Sequence, residues 1–209
     1  MRHSITIVAS AVVLTACTAA EHESAEVVEA APAKPRVALE TTAGRMVLEL
    51  DREHAPETVR NFLAHVRGGF YDGLQFHRVL PDFVIQAGLL TETGAERKTS
   101  SFPVANEASS GLRNARGTVA MARGGDPHSA TSEFFINVKD NPKLDFRDST
   151  AQGFGYAVFG RVVEGMETVD AIAAVSTNRT SRFEALPAVP VVIRRAYAME
   201  SESNGRPSS

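Results

Sequence analysis

The chain has 209 residues, 43% of them hydrophobic and 22% charged, with 22 Lys and Arg against 25 Asp and Glu. These are the proportions of an ordinary globular protein of one or two domains. A net charge of −3 with scattered cations excludes the basic field that nucleic acid binding needs, and a single Cys excludes a disulfide framework.

Met1–Cys17, MRHSITIVASAVVLTAC, sets one Arg before the apolar run Ile5–Leu14. That run is too short for a stable transmembrane helix. It ends in Leu14-Thr15-Ala16-Cys17, which resembles the lipobox of bacterial lipoprotein signal peptides. The resemblance implies a leader over residues 1–16 and a diacylglyceryl group on the Cys17 thiol. The other reading is an ordinary secretory leader that leaves Cys17 free. A body without Cys needs no disulfide in an oxidising compartment. Thr18–Pro35 is rich in Ala, Glu and Pro and lacks the apolar bulk to fold alone, so residues 17–35 are expected to form a lipidated tether. Residues 200–209, rich in Ser, are expected to be a disordered tail.

The body, Arg36–Met199, is long enough for one well-buried core. Strands are expected at Arg36–Thr41 and Gly44–Asp51, joined at Ala43-Gly44. A helix follows from about Pro56 to Arg67. Pro at its first turn loses no hydrogen bond, Val59, Phe62, Leu63 and Val66 form its apolar stripe, and Gly68-Gly69 ends it. Further strands are expected at Phe76–Leu80, Phe83–Ala87, Gly117–Arg123, Glu133–Val138, Ala157–Val163 and Val189–Ala198. A second helix is expected over about Met166–Ala174, with Val169, Ile172 and Ala173 inward. Eight strands and two helices predict a mainly β fold: a closed eight-stranded antiparallel β-barrel capped by two α-helices, closure removing the sheet edges.

The richest stretch is Phe76–Gly88, FHRVLPDFVIQAG. Pro81-Asp82 is the turn, since Pro presets φ and Asp can bond its own backbone. Period-two alternation separates Arg78 and Leu80 from His77 and Val79, and Phe83, Ile85 and Ala87 from Val84 and Gln86. A cation and an amide beside an apolar surface suit a site that grips and polarises a neutral carbonyl group. Read alone, Arg78 is equally an Arg that snorkels off a strand edge into water.

Residues 117–138 read GTVAMARGGDPHSATSEFFINV: a strand, a Gly/Asp/Pro/Ser loop and another strand. FHRVLPDFVIQAG, RGTVAMAR, SATSEFFINV and GYAVFGRVVEGMETVDAI follow the order and spacing of the cyclophilin-type peptidyl-prolyl isomerases. The upstream APETVRNF matches as well. The resemblance spans roughly Arg36 to Met199. The short loop GGDPHSAT and the NxxLDF stretch are most similar to the bacterial extracytoplasmic, periplasmic branch. The resemblance implies the barrel architecture, with a substrate groove on its outer face.

It also implies residue roles. Arg78 is similar to the family's catalytic guanidinium. Phe83, Val84, Phe135 and Leu144 resemble the wall of the proline pocket, where Val84 stands in place of a frequent Met. Gln86 resembles the residue that orients Arg78 or binds peptide backbone. Ala122 and Arg123 resemble the rim strand that pairs with an extended substrate. Read without the resemblance, Phe83 and Phe135 are ordinary barrel core, and His77 is a structural histidine pointing away from Arg78. Three positions depart from the family pattern. Tyr156 replaces a His of many eukaryotic members, and Lys143 replaces a rim aromatic, which implies weak cyclosporin sensitivity. Glu133 stands where Gln is usual, and is expected to pair with Arg78, with Arg123 or with solvent.

Other chemistries fit poorly. No GxSxG elbow accompanies a triad. His54, His65, His77 and His128 lack metal-ligand spacing. Gly153–Gly160, GFGYAVFG, leads into a strand where a dinucleotide fingerprint leads into a helix. The expected protein is therefore a monomeric isomerase of Xaa-Pro bonds in exported polypeptides. It is expected to need no cofactor or metal, and to be anchored through Cys17 at the periplasmic face of the outer membrane. The rival readings are a proline-binding module or holdase with weak turnover, and a surface adhesin.

Overall fold

A computed structural model of the chain describes Met1, residues 34–98 and residues 102–200. The expected leader, Cys17, most of the tether and the end of the tail lie outside the described residues. Pro35 is buried and its carbonyl accepts the Leu50 N–H at 2.9 Å, so the folded body already includes it.

β1 (Arg36–Thr41) and β2 (Gly44–Leu50) form an antiparallel hairpin, with Thr41 opposite Gly44. The chain then enters α1 (Pro56–Arg67) where its periodicity predicts. Val59, Phe62, Leu63 and Val66 are buried as expected, joined by Thr58 and His65. No local side chain caps this helix. Its first free N–H groups are answered from far along the chain. The Glu107 carboxylate accepts from the N–H of Glu57 (3.1 Å) and of Thr58 (2.9 Å) and from the Thr58 hydroxyl (2.6 Å). An anion at a helix N-terminus satisfies orphan donors and faces the positive end of the dipole.

The remaining strands are β3 (Leu74–Gln75), β4 (Arg78–Val79), β5 (Val84–Ala87), β6 (Thr118–Met121), β7 (Phe134–Asn137), β8 (Val158–Glu164), β9 (Thr177–Asn178), β10 (Leu186–Pro187) and β11 (Val192–Ala198). α2 spans Met166–Ala173 and buries Val169, Ile172 and Ala173, as its pattern predicts. It starts at Gly165, whose φ of +80° suits glycine; a Cβ there would lie 2.2 Å from the Arg45 carbonyl oxygen. Among the described residues no helix is long and apolar enough to cross a membrane.

Nine strands form one antiparallel sheet in the order β3-β11-β1-β2-β8-β6-β7-β5-β4, and β9 and β10 pair separately. The expected closed eight-stranded barrel is therefore corrected. The hydrogen-bonded ladder is open, because its end strands β3 and β4 do not pair with each other. It nevertheless curls strongly. Laid flat, nine strands at ~4.8 Å spacing would hold their edges almost 40 Å apart. Gln75 and Arg78 sit on opposite edges yet are three residues apart, a reach of about 10 Å. The single strand expected over Phe76–Leu80 is broken for the same reason. The Phe76 N–H donates to the Val191 carbonyl, while the next N–H, of His77, donates to Gln86. The backbone changes partner there and turns from one sheet edge to the other.

Alternation along the strands divides the side chains. Val79, Ile85, Val119, Ile136 and Phe159 face the main core with α1 and α2. Val84, Ala120, Phe135 and Val158 face the other way and form a second, smaller apolar cluster.

Candidate active site

That second cluster is the floor of a groove on the outer face of the sheet. β8, β6, β7 and β5 lie side by side there, with Gln86 opposite Phe135 and Ala120 opposite Phe135 on the other flank. β4 closes the edge, its Arg78 opposite Gln86. Pro81-Asp82 makes the intervening turn: Phe83 N–H donates to the Leu80 carbonyl, and Asp82 takes φ +60°, which a short polar side chain tolerates. Phe83 lies in this turn, before β5 begins, and so escapes the strand alternation. It lines the groove with Val84, where alternation alone would set it with Ile85 in the core.

The cavity of about 270 Å³ is lined by Arg78, Phe83, Val84, Gln86, Ala122, Arg123, Phe135, Leu144 and Tyr156. Nine of the eleven groove residues singled out in the sequence thus meet in one place; Lys143 and Glu133 do not line the cavity, though Glu133 is bonded to Gln86, which does. Leu144 arrives on the short 3-10 turn Pro142–Leu144, whose backbone is held by Tyr156 N–H (2.9 Å) and by Asn114 Nδ2 (3.0 Å), both donating to the Leu144 carbonyl. Tyr156 packs edge-on against Phe135, ring centroids 5.6 Å apart. A smaller cavity of about 110 Å³ lies beside Glu49 and Arg161, which are tied to each other at 3.0 Å.

The charged members are arranged differently from expectation. Glu133 pairs with neither Arg78 nor Arg123. Gln86 Nε2 donates to Glu133 Oε2 at 2.8 Å, and His77 Nε2 stands 3.2 Å from the same oxygen. Burial opposes ionisation of this carboxyl most strongly. The hydrogen bond and charge of His77, with the Gln86 amide, outweigh it and hold Glu133 below the ordinary carboxylate range. His77 is thus buried as expected, yet it reaches the groove network through Glu133.

The two Arg residues are occupied elsewhere. Arg123 donates from Nε to the Gly155 carbonyl (2.9 Å), from Nη1 to Gly124 (3.0 Å) and from Nη2 to Ala151 (2.9 Å), and lies over the Tyr156 ring at 4.9 Å. Arg78 donates from Nε (2.9 Å) and Nη2 (2.7 Å) to Glu184 Oε1, and lies 5.7 Å from the Phe83 ring centroid. Of the rim strand, β6 ends at Met121, and the Ala122 N–H is already donated to the Glu133 carbonyl. Only the carbonyl side of Ala122 is left to pair with a peptide.

Glu133 is held firmly. The buried Tyr71 hydroxyl donates to the Ser132 carbonyl at 2.9 Å, and burial pushes its phenol well up, so it stays a donor. Gly88 (φ +104°) lies so close that a Cβ there would come within 2.6 Å of the same carbonyl oxygen. Removing the carboxylate should therefore expose a fixed deficit. Glu133→Leu leaves the buried His77 Nε2 and the Gln86 amide unpaired, an expected loss of about 1–3 kcal/mol in urea unfolding, whereas Glu133→Gln keeps an acceptor and should lose less. The pH dependence follows from the sign of the shift. A carboxyl whose folded value lies below its unfolded one stabilises above the ordinary Glu range, and that contribution is lost as pH falls through the lowered value. Glu133→Gln should flatten this acid limb of the stability curve.

The profile of the family described as cyclophilin type peptidyl-prolyl cis-trans isomerase/CLD matches residues 36–198. A peptidyl-prolyl cis-trans isomerase of Streptomyces antibioticus is 55% identical over 160 residues, covering 77% of this chain and 96% of that protein. Peptidyl-prolyl cis-trans isomerase B of Escherichia coli is 46% identical over 164 residues, 78% and 99% of the two chains. In fold, the chain is similar to the crystal structure of a cyclophilin type isomerase of Cryptosporidium parvum, with a TM-score of 0.66 at 23% identity over 80% of this chain and 99% of that one. The same parasite protein solved in the presence of the dipeptide Ala-Pro gives a TM-score of 0.65.

Proposed function

This chain belongs to the cyclophilin-type peptidyl-prolyl cis-trans isomerases and accelerates rotation about Xaa-Pro bonds; from that premise we propose that Arg78 is its key donor and that its clients are exported polypeptides. An Xaa-Pro bond favours trans only slightly, but amide resonance raises a barrier of ~18–20 kcal/mol and exchange takes tens to hundreds of seconds. No bond is made or broken. The C–N bond must only lose double-bond character as it twists, leaving a lone pair on a pyramidal prolyl nitrogen. Phe83, Val84, Phe135, Leu144 and Tyr156 enclose the pyrrolidine ring, and the flanking carbonyl rotates. Arg78 supplies an N–H to the prolyl nitrogen, an interaction strongest in the twisted state and so one that lowers the barrier.

One observation carries this reading: Arg78, 31% exposed, lines a pocket of about 270 Å³, room enough for a proline ring, together with the apolar side chains Phe83, Val84, Phe135 and Leu144. Gln86, beside it, meets the peptide backbone. The parasite relative solved in the presence of the dipeptide Ala-Pro supports proline as the occupant. A chymotrypsin-coupled assay on a short Xaa-Pro peptide, comparing the wild type with Arg78→Ala, tests it.

The setting rests on sequence. The short apolar run Ile5–Leu14 and the Leu14-Thr15-Ala16-Cys17 end support export and lipidation, and Thr18 after the Cys supports the outer membrane. The chain acts as a monomer held on its tether. One acyl chain binds membranes only marginally, so stable anchoring takes several chains on Cys17. Cys17→Ser should release the protein from the membrane fraction or leave it unprocessed with its leader attached. Soluble, unlipidated wild-type protein in the cell would refute the anchor.

A further inference from the structure

Glu184 belongs to the hairpin of β9 and β10, and its position beside Arg78 is built into the fold. Three consecutive residues of the hairpin meet three consecutive residues of the groove edge. The Phe183 ring packs edge-on against His77 with centroids 5.9 Å apart, the Glu184 carboxylate accepts two hydrogen bonds from Arg78, and the Ala185 carbonyl accepts the Val79 N–H at 2.9 Å. Ala185 and Val79 are buried, so the pair between them and the groove is held in register from both sides. Glu184 itself is 46% exposed and does not line the groove, but it lies 2.7 Å from Arg78, which does.

A guanidinium has five N–H donors. Glu184 takes two of them, on the Nε–Nη2 edge. When Arg78 turns to a prolyl nitrogen, Glu184 is left as an exposed carboxylate within reach of the peptide. Nearby charges are engaged elsewhere: Arg123 is bound to four backbone carbonyls, Arg182 pairs with Glu96, and Glu133 is a second carboxylate, engaged by His77 and Gln86. A peptide that brings its own cation can relieve Glu184. The carboxylate then passes from Arg78 to the substrate, and no charge loses its partner. A neutral peptide strands Glu184, and an acidic one adds repulsion.

Building on the assignment of Arg78 as donor, we propose that Glu184 is a specificity-determining residue, which makes the enzyme favour Xaa-Pro peptides carrying Lys or Arg next to the proline. The test compares kcat/KM on peptides with Lys, Ala or Glu immediately before the proline, and on a second series with the same residues immediately after it. Exchange is read by NMR, so that no coupling protease imposes its own preference. In at least one series the Lys-to-Ala ratio of the full-length wild type should exceed that of Glu184→Gln by about threefold, the scale of a surface ion pair. The wild-type ratio should shrink at about 1 M salt, where screening acts within ~3 Å. The charge-reversed variant, Glu184→Lys, should turn the preference toward the Glu peptide. Equal ratios in wild type and Glu184→Gln in both series would overturn the proposal. Arg78→Ala, measured alongside, separates the two assignments: full turnover there refutes Arg78 as donor, whereas impaired turnover with equal ratios refutes Glu184 alone.

Discussion

Arg78→Ala should lower kcat/KM by on the order of 10²-fold, by analogy with loss of one preorganised donor to a developing charge. The reaction uses neither nucleophile nor leaving group, so few other terms can compensate. The apolar pocket would still hold the ring, which predicts a larger effect on kcat than on KM. The fold should survive. Arg78 is partly exposed, and its ion pair with Glu184 is a surface pair worth about 0–1 kcal/mol. Arg78→Lys should rescue poorly, because an ammonium lacks the planar fork that aims the guanidinium N–H donors in fixed directions. Thermal unfolding measured beside turnover checks both halves. A variant that folds and keeps its full rate would place the chemistry elsewhere.

Phe62→Ala should destabilise the fold by about 3–5 kcal/mol, the range for truncating a fully buried aromatic. Phe62 is wholly buried on α1 and meets Tyr71 at 5.2 Å, Phe134 on β7 at 5.4 Å and Phe159 on β8 at 5.0 Å between ring centroids. It is the point at which the helix is fastened to the two strands under the groove floor. Residue 134 faces inward and its neighbour Phe135 outward, so a cavity at Phe62 loosens the strand that carries the proline pocket. Such a loss is a large part of the 5–15 kcal/mol of a typical domain. Urea unfolding should show a lower midpoint with an unchanged slope. Phe62→Leu, which refills most of the volume, should recover most of the loss. A change below about 1 kcal/mol would mean the site collapses around the void.

Much of this protein is written in local pattern. The 3.6-residue period of Val59, Phe62, Leu63 and Val66 and the Pro56 and Gly68 boundaries locate α1 to the residue. Period-two alternation separates Val79, Ile85 and Ile136, which turn into the core, from Arg78, Gln86 and Phe135, which turn to the groove. These readings succeed because the period of a strand or helix is a property of a few adjacent residues, and burial of one face selects it. The family resemblance in motif order implies a shared groove for the nine residues that line it.

What sequence periodicity could not decide is who answers each charge. Glu107 caps α1 across about 50 residues, Glu133 meets Gln86 across 47, and Glu184 meets Arg78 across 106. A carboxylate has no period and no preferred neighbour in the chain; its partner is whichever donor the folded loops bring within ~3 Å. The β9–β10 hairpin that delivers Glu184 pairs only two residues on each strand, too few for alternation to register. The closure of the sheet fails the same way. Alternation from Phe76 to Leu80 reads as one strand, but two successive N–H groups donate to different partners, Val191 and Gln86, and split it between opposite edges. The chain by itself determined which strand side chains, Arg78, Val84, Gln86 and Phe135, face the groove, because alternation follows from backbone geometry over a few residues; Phe83, set in the turn before β5, escapes it. Tertiary structure alone decided that Arg78 is held by Glu184 and Glu133 by His77 and Gln86, because ion pairs are chosen by distance in space.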